Sequence, residues 1–233
     1  MNKGILIGLV ILVAAAIGAG GWYAYNSGKI GGSAPTATSA ATGADTAPAP
    51  AATGEKGPVP EVAADEMVLG NADAPVTIVE YFSLGCPHCK HFHEDILPQL
   101  KAEYIDTGKV RIVFRDFPLD GVALSAAQLT RCVSPMAYFP MVDTLFKQQS
   151  DWHVQDGVGV IAKIAKGTGM DQAAFDACIG NKELRDKIAN GAKDGQAKFG
   201  IEATPTFIIN GKKVGGVGEY APFKAEVEEA LGN

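Results

Sequence analysis

IVEYFSLGCPHCKHF, residues 78–92, is the stretch on which the reading of this chain turns. Its first half continues the β-branched and aromatic run VTIVEYF (76–82), which follows the turn signal NADAP and reads as a strand. From Cys86 the period changes: Phe92, Ile96, Leu97, Leu100 and Tyr104 recur at helical spacing. Pro98 lies inside that helix and predicts a kink, and Gly108 marks its end. Val110, Ile112 and Phe114 then alternate with Arg111, Val113 and Arg115 as a second strand. Strand, helix and strand in that order predict two parallel strands joined by a right-handed crossover.

Working outward, residues 120–199 read as helices only. Apolar stripes run through Val122–Val133, Met136–Phe146, Val158–Ile164, Phe175–Ile179 and Leu184–Ala197. Strands then return: Thr206–Ile209 is apolar, Asn210-Gly211 is a two-residue hairpin signal, and Lys212–Val217 completes the hairpin. Ala221–Leu231 closes the chain as an amphipathic helix. The predicted fold class is α/β: a βαβ half, a helical insertion and a ββα half, with no internal repeat.

The dithiol Cys86-Pro87-His88-Cys89 falls where strand hands over to helix. Unpaired N–H groups and the helix dipole at that end favour a thiolate on Cys86. Cys89 stands one turn on, close enough to pair. Pro87 presets φ for the first helical turn, and a protonated His88 adds a positive charge beside the thiolate. A stabilised thiolate favours the reduced form, so the disulfide becomes a better oxidant and Cys86 a better leaving group.

C-x-x-C also marks zinc sites, so a metal-binding module is the rival from another class. On a helix Cys86, Cys89 and His93 share one face, while His91 points about 140° away from Cys86 at 100° per residue. One helix cannot close a four-ligand site with that set. His91 and His93 are therefore expected on the helix surface, His153 is expected to be isolated and inert, and no metal is expected. A second signal is Thr204-Pro205-Thr206 at a strand entry, where a proline either caps the strand or forms a cis bond.

Composition sets the compartment. Of 233 residues, residues 5–25 (ILIGLVILVAAAIGAGGWYAY) carry no charge and as a helix would reach about 30 Å, a bilayer core. Lys3 precedes them, and Trp22, Tyr23 and Tyr25 stand at the far end, where aromatic rings favour the interface. Residues 1–26 are a membrane anchor or a signal sequence. Ala14–Ala16 fits a small-x-small cleavage site, but the apolar stretch runs past it. Either way the rest is extracytoplasmic. Residues 27–61 follow as an Ala/Pro/Thr-rich linker with too little apolar surface to order itself, reaching roughly 30 Å. The domain is placed at 62–233. The net charge of −6 and the lack of any Lys/Arg block argue against a nucleic-acid partner. Cys132 and Cys178, the remaining even pair, read as a structural disulfide in an oxidising compartment, with two buried free thiols as the alternative.

IVEYFSLGCPHCKHF (78–92), KVRIVFRDFPLD (109–120) and ATPTFIINGKKVGG (203–216), with the helical insertion between them, resemble the DsbA family of the thioredoxin superfamily. The resemblance spans residue 62 to the C-terminus and implies a thioredoxin fold with its insertion at about 120–199. It implies Cys86 as the exposed nucleophile, Cys89 as the buried cysteine, and Pro205 as a cis-proline packed against the pair. Thr204 would offer its backbone to an extended client by strand addition. Glu80, which interrupts an apolar strand, either faces solvent or, as the resemblance suggests, is a buried acid beneath the pair that tunes it or relays a proton to Cys89. The implied activity is a periplasmic dithiol oxidase needing no cofactor, acting on reduced exported proteins and reoxidised by a quinone-linked membrane partner. Thr before Pro205 is familiar from isomerase-type relatives, which keeps an isomerase or reductase as the alternative on the same scaffold.

Overall fold

A computed structural model describes residues 56–216 and 218–232. The predicted anchor and the linker as far as residue 55 lie outside the described residues. Among the described residues no helix is long and apolar enough to cross a membrane. At the end of the predicted linker, Lys56 bridges to Lys212 and Gly57 N donates to Gly211 O at 2.8 Å.

Strand β1 (Met67–Leu69) is followed by β2 (Val76–Phe82) and by the composite helix α1. Helix α1 is built from Pro87–His91, a π segment Phe92–Ile96, Leu97–Leu100 and a second π segment Lys101–Ile105. The expected effect of Pro98 is therefore expressed as widened turns on both sides of it. Pro98 has no N–H to donate, and the Leu97 N–H reaches back five residues to Phe92 O. Gly108 ends the helix at φ 75°, with Gly108 N donating to Ile105 O and Lys109 N to Tyr104 O.

Strand β3 (Val110–Asp116) leads into the insertion: α2 (Gly121–Cys132), α3 (Tyr138–Lys147), α4 (Gln149–Trp152), α5 (Val158–Gly167), α6 (Gln172–Gly180) and α7 (Lys182–Phe199). Asp120, Asp171 and Asn181 cap α2, α6 and α7, each side chain accepting a backbone N–H. Strands β4 (Thr206–Ile209) and β5 (Lys212–Gly215) and helix α8 (Tyr220–Leu231) complete the chain.

The sheet order is β1-β3-β2-β4-β5. β2 and β3 are parallel and the other pairs antiparallel. Strand β2 is covered on both faces, which is why it reads as a nearly continuous apolar run. Val76, Ile78 and Phe82 join the larger core with α1, α8 and the insertion, while Val79 and Tyr81 join a smaller one with Val113, Ile201 and Ile208. This is the thioredoxin-type arrangement, with the helical insertion between its two halves. The sequence reading missed β1, which is only three residues long, and α4, whose QSDW carries no helical apolar period.

Candidate active site

Sheet register brings the sequence-distant parts of the site together. In the antiparallel β2–β4 pair Glu80 faces Phe207 and Tyr81 faces Thr206. The residues just before β4 are thereby level with the turn that leaves β2. In that turn Cys86 N donates to Ser83 O at 3.0 Å. Ser83 Oγ accepts from Gly85 N at 3.3 Å, and Ser83 N donates to Cys89 Sγ at 3.5 Å. Across the gap the Cys86 thiol donates to Thr204 O at 3.2 Å, and the Thr204–Pro205 peptide is cis. Both cysteines are free thiols.

The two sulfurs have opposite electrostatics. The Cys89 thiol beside it, the Thr204 hydroxyl and the backbone N–H groups of Cys89 and His88 outweigh burial and hold Cys86 down to about 5. Burial first, then the proximity of Cys86 and Glu80, pushes Cys89 well above its ordinary value. In the dithiol form the Thr204 hydroxyl has no hydrogen-bond partner among the described residues, which leaves its proton for the thiolate. The His88 imidazole is exposed, as is Pro87. It is the backbone N–H of His88 that favours the Cys86 thiolate. Cys86 itself is only 5% exposed, because the Thr204–Pro205 segment covers it; the expected exposed nucleophile is more shielded than the resemblance implied.

Glu80 lies fully buried on the same face of β2 as Ile78 and Phe82. Its Oε2 is 3.1 Å from His93 Nε2, and its Oε1 has no partner among the described residues. Burial raises the Glu80 carboxyl, opposed by His93. His93, expected on the surface, is instead buried among the rings of Phe82, Phe92, Phe114 and Phe146. A helical wheel grouped it correctly with Cys86 and Cys89, but that shared face points inward. His91 stays exposed, bonded to Asp95 and Gly218 O. Among the described residues no three His, Cys, Asp or Glu side chains converge as metal ligands. His93 Nε2 faces Glu80 Oε2, and Cys86, Cys89 and His93 are not among any such group.

His153 is not isolated either. Its Nε2 is 2.7 Å from Asp120 Oδ2, and its ring occupies the space beside Gly85, where an added Cβ would lie 2.7 Å from Nε2. Sequence reasoning also missed Gln149, whose buried amide donates to Leu84 O at 2.7 Å and to Cys86 O at 3.0 Å. Nothing in the sequence signals that contact, which depends on how the insertion folds back. A cavity of about 710 Å³ is lined by Tyr81, Arg115, Arg131, Lys187 and Lys198 among others, and neither Cys86 nor Cys89 borders it. Cys132 and Cys178 are joined in a disulfide between α2 and α6.

A thioredoxin family model matches residues 63–229. A Rickettsia bellii protein named for protein-disulfide oxidoreductase activity is 35% identical over 150 residues, covering 63% of this chain and 58% of that one. The chain thus spans little more than half the length of its rickettsial relatives. Disulfide bond formation protein D of Bacillus subtilis is 31% identical over 170 residues, covering 70% of this chain and 76% of that one. The crystal structure of Wolbachia pipientis alpha-DsbA1 is similar with a TM-score of 0.67 and 34% identity, over 76% of this chain and 94% of that one. With a dithiol at the strand–helix junction and a cis-proline opposite it, these likenesses agree on one assignment: the chain belongs to the thioredoxin superfamily and, within it, to the DsbA family.

Proposed function

We propose that this protein is an extracytoplasmic dithiol oxidase that introduces disulfides into exported proteins through Cys86 and Cys89. The observation that carries the reading is the asymmetry of the pair. Cys86 favours its thiolate, whereas Cys89 is buried and favours its thiol. In the oxidised enzyme a client thiolate attacks the Cys86 sulfur, the Cys86–Cys89 bond breaks, and Cys89 leaves with the electron pair and takes up a proton. A second client thiolate attacks the client sulfur of the mixed disulfide and expels Cys86 as its stabilised thiolate. The client is oxidised by two electrons and the enzyme is left as the dithiol.

In this reading Pro205 and the Thr204 backbone border the client, Pro87 and His88 shape the exposed rim, and Glu80 governs the proton on Cys89. The Cys86 thiol on Thr204 O beside the cis Thr204–Pro205 peptide supports the first assignment, and the full burial of Glu80 beside His93 supports the last. Residues 5–25 anchor the domain to the membrane through the 27–61 linker, and a quinone-linked membrane partner reoxidises the pair. The names of the relatives support the direction of the chemistry. Equilibrating the protein with glutathione buffers tests it. A reduction potential near about −120 mV, the value known for DsbA, is expected, whereas one near about −270 mV would make this a reductase.

A further inference from the structure

The helical insertion reaches the redox site through Gln149, which opens α4 with its side chain buried. The two carbonyls it binds, Leu84 O and Cys86 O, flank Gly85 in the turn that delivers Cys86. Cys86 O also accepts from Lys90 N at 3.1 Å, so this oxygen belongs at once to the start of α1 and to the Gln149 contact. The His153 ring closes the other side of the turn against Gly85 and is itself held by Asp120.

A carbonyl oxygen is the negative end of a peptide dipole, and two of them within two residues of a sulfur oppose a charge on it. A primary amide is suited to counter this. Its two N–H groups place positive charge on both oxygens and fix the orientation of both peptides. Being neutral, it does so at any pH. The other groups bearing on Cys86 are the Cys89 thiol, the Thr204 hydroxyl, the Glu80 carboxyl and the N–H groups that open α1.

We propose that Gln149 is a positioning residue for Cys86: by anchoring the carbonyls of Leu84 and Cys86 it holds the active-site turn in the geometry that favours the Cys86 thiolate and keeps the disulfide oxidising. The inference rests on the thiol–disulfide reading of the pair and adds a residue of the insertion to it.

The test is Q149M in the full chain, which keeps the side-chain length and removes both donors. Ultraviolet titration of the Cys86 thiolate should show its pKa rising by about 0.5 unit or more. The equilibrium with glutathione should move about threefold toward the enzyme disulfide, about 14 mV. A merely structural role would lower the melting temperature and leave both readings alone, and an unmoved pKa in folded Q149M overturns the proposal. Should Q149M not fold, Q149N, which withdraws the amide by one methylene, takes its place, and an unmoved pKa there overturns the proposal equally. In the unaltered dithiol protein, nuclear magnetic resonance couplings across the hydrogen bonds from Gln149 Nε2 to the two carbonyl carbons are expected. Their absence overturns the proposal whatever the variants do. A wild-type potential near the reducing end breaks the oxidase reading alone. An oxidising wild type with an unmoved Q149M breaks only this inference.

Discussion

Cys86 and Cys89 stand three residues apart at the mouth of α1; Cys132 and Cys178 stand 46 apart, at the end of α2 and within α6. Both pairs have a glutamine amide on the neighbouring backbone. Gln149 donates to Leu84 O and Cys86 O, while Gln128 lies within 3.2–3.3 Å of the carbonyls of Cys178, Ile179 and Asn181. What separates the pairs is the surroundings of the sulfur. Cys86 has a neighbouring thiol, a hydroxyl and helix N–H groups that reward ionisation. The bridge between α2 and α6 joins two helices that neighbouring residues already hold. One pair is arranged so that its reduced state is favourable, and the other so that its oxidised state closes a long loop.

The largest effect that would break this contrast is the loss of Cys89. C89S cannot form the redox disulfide, so oxidation of a reduced model client should fall to background. With a client supplied as its disulfide, the Cys86 thiolate should displace one client thiolate, and the mixed disulfide should accumulate on non-reducing gels because no Cys89 resolves it; sustained turnover by C89S would sink the assignment of roles. Removing the other pair should act on stability. C132A/C178A should lose about 2–4 kcal/mol in denaturant unfolding, as expected for a loop of that size. Its glutathione equilibrium should stay where it was, and a shifted potential would mean that the two pairs are coupled.

The pH dependence sharpens the contrast further. The reduced-state pKa of Cys86 is lowered from 9.0 to about 5. The stabilisation of the dithiol state is therefore complete above the ordinary value, shrinks as pH falls, and is gone below about 5. The potential should change by about 30 mV per pH unit above that point and about 59 mV below it, because one proton rather than two then accompanies the two electrons. A single slope throughout would remove the low-pKa cysteine. The smallest effect is expected from E80Q. It takes away a carboxyl that raises Cys89, so the Cys89 pKa should fall and the potential should move measurably. An unchanged potential would remove Glu80 from the site.

Much of this was legible in the chain. The run 76–82, the helical period after Cys86 and Asn210-Gly211 give both halves of the fold, because each signal is local. The places of Cys86 and Cys89 at a strand–helix junction and of Pro205 at a strand entry were legible for the same reason. His93 was misread because a helical wheel gives the direction of a side chain and not what lies there. Only the sheet register, with Glu80 opposite Phe114 and Phe207, makes that face the interior. Gln149 and His153 had no local signal, since their partners at 84–86 are more than 60 residues away. The three-residue β1 pairs with β3 through backbone atoms, which leave little trace in side-chain pattern.

The π segments of α1 carry a consequence for insertions and deletions. A π turn accommodates one more residue than an α turn. Phe92–Ile96 therefore holds one extra residue while Leu100 and Tyr104 after it stay buried. Deleting one residue there would restore a regular α-helix with the Leu97 N–H still on Phe92 O, now four residues back, so the rest of the helix would keep its direction. Leu100 and Tyr104 would stay against the core, with the dithiol upstream left untouched. In this helix a single-residue gap within Phe92–Ile96 should survive, whereas the same gap in the α turn Leu97–Leu100 would turn the following residues by about 100°.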